Sequence, residues 1–364
     1  MIELAYYFYL ALLALSSIVL SVREHSGANT RWLYAIYSAP LVVFTAARPF
    51  YLMRDDEGYL YRFANSSFEE VFTVDALTAR DPLWTLAVSS AKLLWNDPRA
   101  MLVISAAVLT VKLYLLYRIA SHNQLLVLLM YSCIFWPLHD LTQLRASMAV
   151  MFFLLFIHVQ SPASKPSQFM CLLGSFASHS EALPAFVLIK QIRSISPNRF
   201  AAYLAAILAL LLLGLYPDLS TLGDLFLSRD SGDYLYNSYQ MYHLRAMAGS
   251  YEQFRDVPVI LIISLVVYGF LAREIRNESS LGRVQLAFSS IALGATLAFL
   301  FAAVSDVQVR FYEFFFVAGL VLAGMVRTSK GLIVCYCLAL CYFAKFNLSS
   351  SIWVPPELWR PRSF

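Results

Sequence analysis

Apolar segments long enough to cross a lipid bilayer recur along most of this chain. A helix needs about twenty predominantly apolar residues to span the hydrocarbon core, and residues 3–22, 31–50 and 98–118 are segments of this kind. Of the 364 residues, 60% are hydrophobic and only 14% are charged, which is too apolar for a soluble protein of this length. The sequence predicts an all-α, polytopic integral membrane protein with about 11–13 transmembrane helices, some of them broken or re-entrant.

The basic residues at the segment ends predict an orientation, because lysine and arginine are enriched in cytoplasmic loops. Arg23 and Arg31 flank the first short loop, which places the amino terminus on the outer side. We expect a single transmembrane domain over residues 1–364, with a periplasmic loop at 51–97 and a second, larger one at 217–256. Residues 82–95 lie within the first loop and are too short to span, so we expect a re-entrant or interfacial helix there.

A histidine and a glutamate interrupt one of the apolar segments. His179 and Glu181 separate two short apolar runs, 168–178 and 182–189. Unwound backbone at membrane depth is tolerated only beside a cavity or inside protein, and broken helices are typical of membrane binding sites. The pattern predicts two half-helices that meet at His179. Helix four is expected to run from 124 to 138 and to end outside at His139, and a later helix is expected to begin at Arg310.

The candidate chemistry follows from what is absent and what is present. Glycine-rich phosphate loops, HExxH, paired CxxC and GxSxG motifs are all missing from the sequence. By the predicted topology Arg145, His179, Glu181 and Arg310 lie on the outer face. Arginine grips phosphate with two parallel hydrogen bonds, and histidine takes a proton from a hydroxyl near neutral pH. Such groups suit a substrate with a lipid tail, a diphosphate and a glycan, and the net charge of +4 needs no nucleic-acid partner.

Several short motifs occur in an order that resembles a known family. They are RDDEGYLYRF at 54–63, RDPLW at 80–84, QLRASMAVMFFLL at 143–155, FASHSEALPAF at 176–186 and VQVRFYEFF at 307–315. In this order and spacing the chain resembles the EpsG branch of the Wzy-type polysaccharide polymerases, from about residue 54 to 326. The carboxylate that the family carries shortly before the proline at 82 is here Asp81.

The resemblance implies a GT-C-like membrane glycosyltransferase in the bacterial inner membrane, with its active site facing the periplasm. Such an enzyme joins undecaprenyl diphosphate-linked repeat units into O-antigen or exopolysaccharide, with no nucleotide sugar, metal or other cofactor. Its expected partners are the lipid-linked glycans and the bilayer, together with chain-length regulator and flippase proteins.

The resemblance and the predicted positions together assign roles. His179 is the expected general base for the acceptor hydroxyl, and Arg145 and Arg310 are expected to clamp the donor diphosphate and to stabilise the leaving charge. The expected substrate-binding residues are Asp56, Tyr59, Arg80, Gln143, Glu181, Arg245 and Arg255.

Each assignment has a structural alternative. An arginine at a helix end, such as Arg145, can simply extend its guanidinium group to the membrane interface. Arg310 has Glu313 one turn away as an ion-pair partner. His179 is also compatible with simple packing, and His139 is the alternative base.

Other functional classes stay open at the level of sequence. An O-antigen ligase would use the same histidine and arginine chemistry with a different acceptor. A membrane acyltransferase or a transporter for lipid-linked glycans would also need charged groups in a membrane site. The transporter is disfavoured, because the charges concentrate on one face and no internal repeat is evident.

Overall fold

A computed structural model of the chain describes residues 2–22, 27–53, 55–69, 81–159, 165–189, 195–215, 259–275, 282–302 and 305–344. These residues form fourteen α-helices and no β-strand. In chain order they are α1 (Ile2–Val22), α2 (Gly27–Ala47), α3 (Asp56–Asn65), α4 (Pro82–Leu94), α5 (Arg99–Ile119), α6 (Gln124–Phe135), α7 (Leu144–His158), α8 (Lys165–Ser178), α9 (Pro197–Leu212), α10 (Val259–Glu274), α11 (Gly282–Leu300), α12 (Ser305–Phe316), α13 (Gly319–Met325) and α14 (Ser329–Phe343). A π-helix, Trp136–Thr142, follows α6, and a 3₁₀-helix, Ser180–Ile189, follows α8.

The helices have the length and surface of a membrane protein. Four helical runs in the described part of the chain are long and apolar enough to cross a bilayer: Arg99–Ile119, Gln124–Thr142, Gly282–Leu300 and Gln308–Met325. Large apolar side chains such as Phe8 on α1 and Trp32 on α2 are exposed, which is costly in water and favourable in lipid. The predicted class, an all-α polytopic membrane protein, is confirmed.

The described residues form two compact units. The first is drawn from residues 1–190 and 320–364, and the second from residues 191–319. In the first unit α7 packs against α5 and α8, α2 packs against α5, and α1 and α14 pack against α6. In the second unit α9 packs against α10 and α11, and α11 against α12.

The helix starts carry recognisable local signals. The Ser196 hydroxyl accepts the Arg199 N–H at 3.3 Å, and Pro197 occupies the first helical position of α9, where its missing N–H costs nothing. Thr328 caps α14 in the same way by accepting the Gly331 N–H at 3.1 Å. Pro82 starts α4, whose 13 residues extend about 20 Å. A short helix is therefore present where the sequence predicts one.

The predicted break at His179 is also confirmed. Helix α8 ends at Ser178, and the 3₁₀-helix begins at Ser180. The Phe186 ring contacts the rings of Phe176 and Phe169, at centroid distances of 6.4 and 5.6 Å. Because Phe186 lies 17 residues after Phe169 and still contacts its ring, the 3₁₀-helix folds back along α8.

Two predicted helix boundaries are wrong. Helix four does not end at 138, because the π-helix continues the run to Thr142 and buries His139 and Asp140 inside it. Arg310 does not begin its helix, because α12 starts at Ser305 and Arg310 lies in its interior. In both cases the charged residue is compatible with a helix interior, since packing against protein replaces the water that a helix end would offer.

Candidate active site

The α7–α8 hairpin brings Arg145 and His179 to the same level. The Ser175 hydroxyl of α8 donates to the Ala149 carbonyl of α7 at 2.8 Å, which fixes the antiparallel register of the two helices. His179 lies four residues after Ser175 on α8, and Arg145 lies four residues before Ala149 on α7. Each is therefore about one helical turn from this hydrogen bond, on the same face as the residue that makes it. His179 keeps helical geometry, since its N–H donates to the Ser175 carbonyl at 3.0 Å. The register therefore places this arginine and this histidine at the same end of the hairpin.

Arg145 is held by two partners and keeps one donor unused. Its Nη1 donates to the Asp81 carboxylate, and its backbone N–H donates to the Tyr59 hydroxyl at 3.4 Å. Its Nε is buried and has no hydrogen-bond partner among the described residues. The side chain is 16% exposed, whereas that of Asp81 is only 1% exposed. A buried donor without a partner is costly, so the Nε edge is suited to a ligand.

Asp81 has a strained backbone where it holds Arg145. Its φ is +64° and its ψ is +56°, the left-handed conformation, which costs a residue with a Cβ about 1–2 kcal/mol. The turn lies immediately before Pro82 and directs the chain into α4. Strain of this kind persists where surrounding contacts impose it, and it is concentrated at functional sites.

Tyr59 contributes a hydroxyl to the same place. It lies on α3, and its ring packs edge-on against Trp84 of α4 at a centroid distance of 5.9 Å. Burial is the main cause that raises the pKa of Tyr59 above its ordinary value, so the hydroxyl is neutral at physiological pH. The hydroxyl is therefore a neutral hydrogen-bonding group beside the guanidinium of Arg145.

Helix α3 is fixed at both ends. At its start the two oxygens of Asp56 accept from the guanidinium of Arg48, at 2.6 and 2.7 Å. At its end Lys92 of α4 donates to the carbonyls of Phe63, Ala64 and Ser66 at 2.8–3.0 Å. The cation lies where the helix dipole is negative. These contacts place Tyr59 and define a bracing role for the Asp56 carboxylate, both of whose oxygens are engaged by Arg48.

A second charged cluster lies deeper, within the helices. Lys112 of α5 donates to Asp140 of the π-helix and, at 2.7 Å, to the hydroxyl of Ser147 on α7. Tyr131 donates to the other Asp140 oxygen. The Lys112 and Asp140 side chains are both 0% exposed. A lysine about two turns inside an apolar helix is a signal for this cluster in the sequence, yet Lys112 is not among the predicted residues.

The structure places the other predicted residues as follows. Gln143 joins the π-helix to α7, and its N–H donates to the Leu138 carbonyl at 2.9 Å. Arg310 belongs to α12, which lies in the second unit. Glu181 lies in the 3₁₀-helix, and its side chain is outside the described residues. Arg80, Arg245 and Arg255 are also outside them.

Comparison with known proteins gives one match. The model of the EpsG family matches residues 31–355, which is most of the chain. No curated protein and no solved structure matches it.

Proposed function

This chain belongs to the EpsG family of Wzy-like polysaccharide polymerases, and from that premise we propose its substrate and its site. The substrate is an undecaprenyl diphosphate-linked oligosaccharide repeat unit. The enzyme transfers the growing glycan from its lipid carrier to the next lipid-linked unit, at the periplasmic face of the inner membrane. The product is O-antigen or exopolysaccharide.

One observation supports this site above the others. Three ion pairs among the described residues of the first unit are buried, namely Arg48–Asp56, Lys112–Asp140 and Arg145–Asp81. The Nε atoms of Arg48 and Arg145 both lack a hydrogen-bond partner among the described residues, but the cations of the first two pairs are 0% exposed, whereas Arg145 is 16% exposed. The first two pairs brace the helices. Of the three, the third pair has the partly exposed cation.

Arg145 is proposed to bind the diphosphate. Asp81 holds Nη1 and thereby orients the guanidinium, which leaves the Nε edge directed away from the carboxylate. Arginine keeps its charge in almost any environment and offers phosphate a planar pair of donors. Charge that develops on the departing diphosphate is stabilised by this fixed cation, an effect typically worth about 10²–10³-fold in rate.

His179 is proposed to activate the acceptor. It removes the proton of an acceptor hydroxyl, whose oxygen then forms a bond to the anomeric carbon of the donor sugar. The bond from that carbon to the diphosphate oxygen breaks, and its electron pair leaves with undecaprenyl diphosphate beside Arg145. General-base assistance of this kind contributes about 10²–10⁴-fold. Tyr59 and Gln143, at the same end of α7, are proposed to line the sugar side of the site.

Reconstitution tests the proposal. The purified chain in liposomes receives repeat units extracted from cells in which this gene is deleted, and the product is analysed as a ladder on a gel. We expect the wild type to build a ladder and His179→Ala and Arg145→Ala to lose it. Arg99→Ala is the matched control, because Arg99 is exposed at the start of α5 and should leave the ladder intact.

The ladder also separates the alternatives. A ligase would add a glycan once to a different acceptor, and a transporter would form no glycosidic bond. A wild-type protein that yields no product longer than one repeat unit refutes the proposed polymerase. A full ladder from His179→Ala at wild-type protein levels refutes the assignment of the base.

A further inference from the structure

The π-helix between α6 and α7 is an unusual element in a membrane span. It covers seven residues, Trp136–Thr142, and follows α6 without a break. π-Helical turns are rare, mostly occur as single-turn bulges and are frequent at functional sites, because the wider turn displaces side chains from their α-helical directions. The two ionisable residues of this element, His139 and Asp140, lie in its middle.

Asp140 is fixed from several sides. Lys112 and Tyr131 bind its two carboxylate oxygens, and the Ser147 hydroxyl donates to one of them at 2.6 Å. Its backbone carbonyl accepts from the Ser105 hydroxyl at 3.2 Å. Both the side chain and the backbone of this residue are therefore held by α5, α6 and α7. We call Lys112, Tyr131, Asp140 and Ser147 the charge lock.

His139 is held next to the charge lock but takes no part in it. Its ring stacks on Phe135 with a centroid distance of 5.6 Å and an interplanar angle of 27°. It is 1% exposed, and its Nδ1 is buried without a hydrogen-bond partner among the described residues. An immobilised imidazole with an unpartnered nitrogen, in an element whose next residue, Asp140, is bonded to Ser147 near Arg145 at the start of α7, has the properties of a ligand-binding group.

We propose that His139 is a second substrate-contacting side chain of this site, that its Nδ1 binds a hydroxyl of the acceptor sugar, and that Lys112 and Asp140 are the positioning residues that aim it. The inference rests on the proposed function and adds a sugar contact to it. Because Asp140 and His139 are consecutive, fixing the carboxylate also fixes the direction of the ring.

The surroundings favour a sugar hydroxyl over the diphosphate as the partner of His139. The positive charge of Lys112 is compensated by Asp140 within the charge lock, so this part of the site offers no net charge to an anion. A hydroxyl both donates and accepts, and it therefore satisfies either tautomer of a neutral imidazole. The diphosphate is instead met by Arg145, whose Nε is free.

Replacement of His139 tests the contact in the same reconstituted assay. His139→Phe keeps the stack on Phe135 and removes the nitrogen. We expect it to slow polymerisation about 10- to 100-fold, the range for a buried hydrogen-bonding group that loses its partner. His139→Asn places an amide near the position of Nδ1, and we expect it to retain most of the rate. His158→Phe, at the opposite end of α7, is the control and should not alter the rate.

The acceptor KM separates a sugar contact from a general packing defect. We expect His139→Phe to raise KM for the lipid-linked unit while the thermal stability stays at the wild-type value. Full polymerisation by His139→Phe, or an Asn variant as slow as the Phe variant, would overturn the proposed hydrogen bond. Absence of any ladder from the wild type would instead overturn the proposed function on which the inference rests.

The double variant Lys112→Met/Asp140→Asn tests the positioning role. The amide that replaces the Asp140 carboxylate still has Tyr131 and Ser147 as neighbours, but its hydrogen bonds are neutral and therefore roughly half as strong as charge-assisted ones. We expect a folded protein that polymerises about 5-fold more slowly, because the π-helix is held less firmly. A double variant with the wild-type rate and an unchanged acceptor KM would refute the positioning role.

Discussion

Removing one charge of the Lys112–Asp140 pair should destabilise the protein more than removing both. The two side chains are 0% exposed, so a single substitution leaves an unpaired charge in an apolar interior. Breaking a buried pair in this way costs about 3–5 kcal/mol. Replacing both partners by uncharged residues often changes the free energy of unfolding very little. Lys112→Met and Asp140→Asn should each show the full cost, and the double variant should cost less than either.

The expected shift in melting temperature follows from the size of the unit. For a domain of about 150–250 residues, 1 kcal/mol corresponds to roughly 2–4 °C. Each single variant should therefore melt about 6–20 °C below the wild type. The double variant should melt within a few degrees of the wild type.

Buried cysteines provide the assay. Cys133, Cys171 and Cys335 are buried and become accessible to a thiol-reactive fluorescent dye when the protein unfolds. Cys337 is exposed and Cys341 is partly exposed, and both would react before unfolding, so the measurement is made in a Cys337→Ser/Cys341→Ser background. A double variant that melts as early as the single variants would refute the argument, because the instability would then come from lost packing and not from an unpaired charge.

Substitutions at three further positions test the contacts that hold the site together. Gly174→Ala would bring a Cβ within 2.8 Å of the Phe152 ring and should force α7 and α8 apart. We expect a loss of about 1–3 kcal/mol in stability and no polysaccharide ladder. An unchanged melting temperature would contradict this expectation. Asparagine tolerates the left-handed turn, so Asp81→Asn should keep the fold but slow polymerisation, because Arg145 loses its charged partner. Asp81→Ala should in addition lower the stability by about 1 kcal/mol, measured by thermal melting. Lys92→Met should free the carbonyls at the end of α3 and speed amide hydrogen exchange in residues 56–65; unchanged exchange would show that other contacts hold the helix.

The sequence indicates which polar residues belong to the site more clearly than it indicates which residues they pair with. Arg145 and His179 are identifiable because an ionisable residue in or beside an apolar segment is costly and needs a reason. The same rule applies to Lys112, in the interior of α5, although the sequence prediction does not include it. The break at His179 is predictable because each flanking apolar run is too short to span.

The pairings themselves depend on tertiary packing. Asp81 and Arg145 are 64 residues apart, and Lys112 and Asp140 are 28 apart, so no local pattern indicates which acid meets which base. Asp56 illustrates the consequence. Its motif favoured a sugar contact, whereas in the structure Arg48 engages both of its oxygens. The only local signal for the π-helix in the sequence is Pro137 near its start, which removes a backbone N–H donor and interrupts the α-helical pattern without indicating what replaces it.

Matched neutral replacements should distinguish a brace from a ligand-binding pair. Arg145→Met/Asp81→Asn removes both charges of a pair that is partly exposed on the arginine side, so the fold should survive as it does for Lys112→Met/Asp140→Asn. Polymerisation should not survive, because the departing diphosphate would then have lost this cation, a loss of about 10²–10³-fold or more. The two double variants are compared at equal protein level in the ladder assay. If they retain equal activity, Arg145 is a brace like Lys112, and the diphosphate binds elsewhere.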